Sequence, residues 1–148
     1  MIITKDPNKI LHKKLEPVGE ITPKILALIE EMRATMIEAK GVGLAANQIG
    51  KDLQIFVIDA KLAEEHKVPD AYINPELREY SRDHDNMEEG CLSLPGFWHQ
   101  IQRSKKVRIK ALDEHGAKIK LKARGFLARV FQHEYDHLQG LLIKDRVK

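Results

Sequence analysis

Two histidines four residues apart bound the stretch His133-Glu134-Tyr135-Asp136-His137. On a helix that spacing stacks both side chains on one face, so both imidazoles can reach a single ion. Glu134 follows the first histidine and can reach a water on that ion without being a ligand, which is where a general base belongs. Two imidazoles do not complete a catalytic centre, which needs about three protein ligands with a position left for water. The pattern H-E-x-x-H-x-x-G-x-x-H is matched as far as Gly140, but Ile143 stands where the third His should be, and the only carboxylate in Leu138 to Lys148 is Asp145. The third ligand must therefore lie upstream. Cys91 is the best candidate, because a thiolate is a strong soft ligand and Glu89-Gly90-Cys91-Leu92-Ser93 reads as a local turn or strand built around it. As the single cysteine it cannot form an internal disulfide. A lone cysteine is more often a small buried apolar residue; the incomplete histidine pair favours coordination here. Asp136 either orients a ligand from behind or stands exposed on the helix. His12, His66, His84, His99 and His115 have no partner at ligand spacing and read as surface residues.

These groups need a scaffold, and 148 residues suffice for one domain over 1–148 with a real core. Hydrophobic residues at 43% and charged residues at 32% exclude the disordered and membrane classes. No apolar run approaches the ~20 residues of a membrane span. Met1 to Leu15 alternates apolar and charged residues, unlike a signal or transit peptide, so a cytoplasmic location is expected. Thr22 and Pro23 begin a helix whose stripe of Ile25, Ile29, Met32 and Met36 runs to a stop at Lys40 and Gly41. Gln54 to Asp59 reads as a buried strand and Ala71 to Asn74 as a weaker one. From Val107 to Ala123 apolar residues alternate with Arg108, Lys110, Lys118, Lys120 and Lys122 around a turn at Asp113-Glu114-His115-Gly116, which predicts a β-hairpin. After Gly125 helical spacing returns and carries the His-Glu motif to a cap at Gly140. Strands between two helices predict an α+β fold.

Three motifs in this order resemble the peptide deformylase family: Gly41-Val42-Gly43-Leu44-Ala45-Ala46-Asn47-Gln48, Glu89-Gly90-Cys91-Leu92-Ser93 and Gln132-His133-Glu134-Tyr135-Asp136-His137. Ile73-Asn74-Pro75-Glu76 and the hairpin from Lys106 to Gly116 are similar as well, so the resemblance covers nearly the whole chain. It implies antiparallel strands packed around the metal-binding helix. It also implies Fe(II), replaceable by zinc, nickel or cobalt, on Cys91, His133 and His137. The implied substrates are formyl-methionyl nascent peptides, cleaved to formate, with Glu134 taking a proton from water and returning it to the departing amine. By the same resemblance the Gln48 amide and the Leu92 backbone N–H stabilise the oxyanion. Val42, Phe126 and Val130 form the methionine pocket, and Gly43 and Gly90 belong to the substrate-binding surface; Gly41 and Gly43 let the substrate backbone approach closely.

Two positions depart from some members of that family. Leu138 to Lys148 lacks the extended C-terminal helix associated in some bacterial members with ribosome docking, so a weak ribosome contact would use another surface. Trp98 stands where many members have an arginine or another aromatic residue. Competing readings are an amide hydrolase of peptidase type and a nucleic-acid-binding module that uses the basic hairpin face beside a structural metal. That face has no aromatic residue for base stacking, and no fourth ligand candidate stands out. A membrane partner and specific DNA binding are not expected.

Overall fold

The computed structural model describes residues 2–147. The first helix, α1 (Pro23–Glu38), begins as predicted: the Thr22 hydroxyl accepts the Ile25 N–H and proline occupies the first turn. It stops at Lys40, whose φ of 58° is left-handed, while the Gly41 N–H closes back on the Met36 carbonyl at 2.9 Å. The segment that follows is more ordered than a loop. Gly43–Ala45 is a short strand, β1, and Ala46–Ile49 is a 3₁₀ turn that ends at Gly50.

Strand β2 (Ile55–Ile58) is buried on both sides. Ile55 and Val57 pack toward α1, while Phe56 and Ile58 pack toward the last helix. A short helix, α2 (Ala60–His66), starts where the Asp59 carboxylate accepts the Leu62 N–H, and nothing in the apolar spacing announced it. Strand β3 (Ala71–Arg78) runs past Asn74 because the chain bulges there instead of ending. Pro75 cannot donate to the ladder and Asn74 takes a left-handed φ of 52°. The Asn74 amide makes two hydrogen bonds to the Val18 backbone, at 2.7 and 2.8 Å.

Two long strands, β4 (His84–Cys91) and β5 (Leu94–Ser104), pair as a separate antiparallel ribbon whose register shifts between Gly90 and Cys91. The predicted hairpin is β6 (Lys106–Leu112) and β7 (Lys118–Arg124), and it joins the larger sheet in the order β1-β2-β3-β6-β7, antiparallel throughout. The chain passes directly from β7 into α3 (Gly125–Leu138) through the left-handed Gly125. Helix α3 lies against the sheet on one side and near the β4–β5 ribbon on another, so the fold is α+β with the motif helix at its centre. Phe56, Tyr72 and Phe131 form its aromatic anchor, with ring centroids 4.9–5.9 Å apart.

The amino-terminal segment closes this assembly by hydrogen bonds from Thr4 to Gln48, Asp6 to Ser93 and Leu15 to Leu138. It passes so close to the end of α3 that a Cβ on Gly140, at φ 80°, would lie 2.7 Å from the backbone of His12 and Lys13. A Gly140→Ala variant should therefore lose about 1–3 kcal/mol from backbone strain, with the overlap adding to it. Urea denaturation should show a lower midpoint; a parental midpoint would mean the two segments separate freely.

Candidate metal centre and its cavity

Helix α3 and the end of β4 bring the three predicted ligands together. The Nε2 atoms of His133 and His137 are 3.3 Å apart, and Cys91 Sγ is 3.4 Å from His137 Nε2. Metal–ligand bonds of ~2.0–2.3 Å in a tetrahedral arrangement hold donors roughly 3.3–3.7 Å apart. Both separations fit. Among the described residues this is the only group of three or more His, Cys, Asp or Glu side chains that could share an ion. Three protein donors leave a position for water or substrate, unlike a closed structural site.

Charge at the centre suits a cation. Burial pushes the Cys91 thiol up, but the adjacent His137 and His133 bring it down to about 5. His133 Nδ1 lies 2.9 Å from a Glu89 oxygen. An ionised Glu89 accepts the Nδ1 proton and leaves Nε2 with its lone pair toward the centre. Burial opposes that ionisation, yet His133 and Arg103 hold the Glu89 carboxyl well below the usual carboxylate range. Arg103 donates to both Glu89 oxygens, at 2.9 and 3.0 Å, and to Asp136 at 2.6 Å. Arg129 also pairs with Glu89, and bonds the Ile101 carbonyl at 3.0 Å. Asp136 is thus neither exposed nor in contact with a ligand. It is buried, and it anchors Arg103 and Arg146.

Glu134 directly follows His133 on α3, three residues before His137, and is only 3% exposed. Burial raises its carboxyl above the ordinary value, against the pull of His133 and His137, and its Oε1 has no hydrogen-bond partner. A carboxylate kept partly basic and unoccupied can accept a proton. Strand β1 forms its seat: a Cβ on Gly43 would lie 2.5 Å from Glu134 Oε2. Gly43 is therefore required by the carboxylate behind it, a constraint that substrate approach alone does not explain.

Gln48 is buried. Its Oε1 accepts the Ala45 N–H at 3.0 Å, which turns its NH₂ toward Ser93 Oγ at 3.1 Å and Cys91 Sγ at 3.7 Å. Leu92 lies in the turn between β4 and β5, where its side chain meets Gly41. In front of these groups opens a cavity of about 510 Å³, lined in part by Val42, Gly43, Gln48, Gly90, Phe126 and Val130. All five predicted substrate-binding residues line it; Val130 is buried, while Val42 and Phe126 are half exposed at its edge. His133 and Glu134 open onto it as well. Trp98, at the rim, packs over Gly90 so closely that a Cβ there would strike the indole.

Across the whole of residues 1–148 the chain matches the family model described as polypeptide deformylase. The chain belongs to that family. A peptide deformylase of Halothermothrix orenii is 46% identical over 145 residues, covering 98% of this chain and 92% of the relative. A crystal structure of peptide deformylase from Thermotoga maritima superposes with a TM-score of 0.91 at 39% identity, covering 99% of this chain and 96% of that one. The peptide deformylase of Synechococcus elongatus, solved in complex with actinonin, gives 0.92 at 37% identity, covering 99% and 79%. A deformylase is a metal-dependent hydrolase, so the nucleic-acid module with a structural metal is set aside as the principal reading. The basic residues of β6 and β7 do not line the cavity.

Reading along the chain missed the buried ions behind the centre. In the sequence Glu89 stands out only as part of a motif, although it lies two residues before Cys91 in a strand, the spacing that returns a side chain to the same face. Arg129, a charge inside the apolar run from Leu127 to Phe131, was the other signal. Replacing Glu89 with Gln should leave two buried guanidinium groups short of a counter-charge, at a cost of about 3–5 kcal/mol. It should also weaken metal binding ~10–100-fold, since His133 loses the anion that orients it. Thermal unfolding and competition with a chromogenic chelator measure the two effects; parental metal affinity would show that Glu89 does not orient His133.

Proposed function

We propose that this chain removes the N-formyl group from the amino-terminal methionine of nascent polypeptides, with Cys91, His133 and His137 holding the metal and Glu134 moving the proton. The observation that carries the reading is the unpartnered, buried Glu134 carboxylate beside three donors at one end of an apolar cavity. A divalent ion held there supplies a Lewis acid and acidifies a water molecule; Fe(II) is the ion proposed, with Zn, Ni or Co able to replace it. Glu134 accepts a proton from the attacking water. Oxygen adds to the formyl carbon, the carbon–nitrogen bond breaks, and Glu134 passes the proton to the departing amine, so formate and a free amino terminus result.

The Gln48 Nε2 amide, aimed at Cys91 by its bond to Ala45, and the Leu92 backbone N–H donate to the developing oxyanion. The methionine side chain packs among Val42, Phe126 and Val130, and Gly43 and Gly90 leave room for the peptide backbone. Residues 1–148 act as one catalytic domain in the cytoplasm, a location supported by the bacterial relatives.

The deciding assay gives iron-loaded protein a formyl-Met peptide and measures formate, beside the acetyl-capped and uncapped peptides. Formate from the first alone is expected; cleavage of an internal peptide bond would favour a peptidase and overturn the reading. Glu134→Gln should keep its metal yet lose ~10²–10⁴-fold in turnover, and undiminished turnover with metal bound would remove Glu134 as the base. Cys91→Ser should hold less than one equivalent of metal after gel filtration. The parental iron form should lose activity in air faster than a zinc form, because thiolate ligation leaves the centre open to oxidation.

A further inference from the structure

The outer face of the β3–β6–β7 sheet carries charge in a pattern that the hydrolytic site does not use. Directly paired residues in an antiparallel ladder project from the same face. Lys106 pairs with Arg124, Arg108 with Lys122 and Lys110 with Lys120, so three successive rungs set cation against cation. Lys118 continues the β7 row, and Arg78 of β3 lies opposite Arg108 on the other side. All eight side chains are exposed. Val107, Ile109, Ala111, Ile119 and Ala123 are buried on the opposite face.

Counter-charge on this face is sparse. Glu76 pairs with Arg78 at 2.7 Å and Glu79 pairs with Arg108. Among the described residues the other six cations form no ion pair. Eight cations against two carboxylates leave six net positive charges here, while the whole chain carries +3, so the remaining residues together are net negative. Like charges directly opposite one another destabilise a sheet. An external polyanion would relieve that repulsion.

We infer that this face binds the phosphodiester backbone of structured RNA without regard to sequence. Same-face residues recur about every 7 Å along a strand, so β6 and β7 present two rows of point charges for phosphates. No aromatic residue stands among them to stack on bases, which excludes a single-strand reader of the usual kind. None of the exposed large apolar side chains lies in β3, β6 or β7, so the face lacks the apolar anchors of a membrane-surface binder. None of the eight cations lines the catalytic cavity, and the sheet stands between this face and α3, so bound RNA would leave the cavity open. The inference goes beyond the proposed hydrolysis and does not depend on it.

The test is fluorescence anisotropy of the full-length, metal-loaded protein with a labelled RNA hairpin of arbitrary sequence, titrated at several salt concentrations. Engagement of four or five cations should give a logarithmic salt dependence of about −3 to −4. Gln at Lys118, Lys120 and Lys122 should weaken binding at least ~10-fold and flatten the slope by about 2. Gln at Lys14, Lys24 and Lys61 removes the same charge elsewhere and should leave binding near parental. Circular dichroism and formate release from a short formyl-Met peptide, unchanged in both variants, would show that they are folded. The inference fails if the parent shows no salt-dependent binding, if both triple variants weaken binding equally, or if anionic lipid vesicles bind through the same three lysines and RNA does not.

Discussion

The contact on which the rest of this structure depends is that between the buried carboxylate of Glu89 and His133. It joins a β-ribbon to a helix that arrives much later in the chain, and in doing so it sets Cys91, two residues beyond Glu89, against the paired imidazoles. A lone carboxylate at that depth would neutralise itself by taking up a proton. Arg103 and Arg129 prevent this, and Asp85 and Asp136 in turn balance the arginines. The site is thus held by an ionic frame behind the donors as well as by apolar packing. Such a frame is costly to bury and costlier to break.

Glu134 lives under the opposite regime. Where Glu89 is surrounded by cations, Glu134 has a free oxygen, an apolar cavity before it and the backbone of Gly43 against its other oxygen. Two carboxylates on neighbouring elements are therefore driven apart in basicity by their surroundings, one fixed as an anion and the other kept able to take a proton. The absence of a side chain at Gly43 maintains that difference, because any Cβ would force the carboxylate out of its position.

Legibility in the sequence followed the strength of the local signal. Helices with an apolar stripe and caps, α1 and α3, and the alternating hairpin of β6 and β7 were readable because burial on one face leaves a period. The motif pair His133 and His137 was readable from its helical spacing, Cys91 from the ligand that pair lacks, and only Gln48 and Leu92 needed the resemblance. The β4–β5 ribbon was not readable as two long strands: His84 to Cys91 is mostly polar, and its burial comes from ion pairs with α3 and β5 that leave no apolar alternation. Helix α2 is too short to repeat a stripe, and β1 has only three residues. Gly43 was legible as a glycine needed for space, but the neighbour that needs the space lies ninety-one positions away and is known only from the fold.

The order of elements along the chain also has a temporal side. Every strand precedes α3, and Cys91 precedes both histidines with which it could hold an ion. A chain made from its amino terminus holds its only thiol without the imidazoles that lower its proton affinity until the helix has been added, and the contact of Leu15 with Leu138 must wait as well. The three donors are therefore brought together only once the last helix has been added. The same helix that completes this group also ties the amino-terminal segment, through Leu15, to its own carboxyl end.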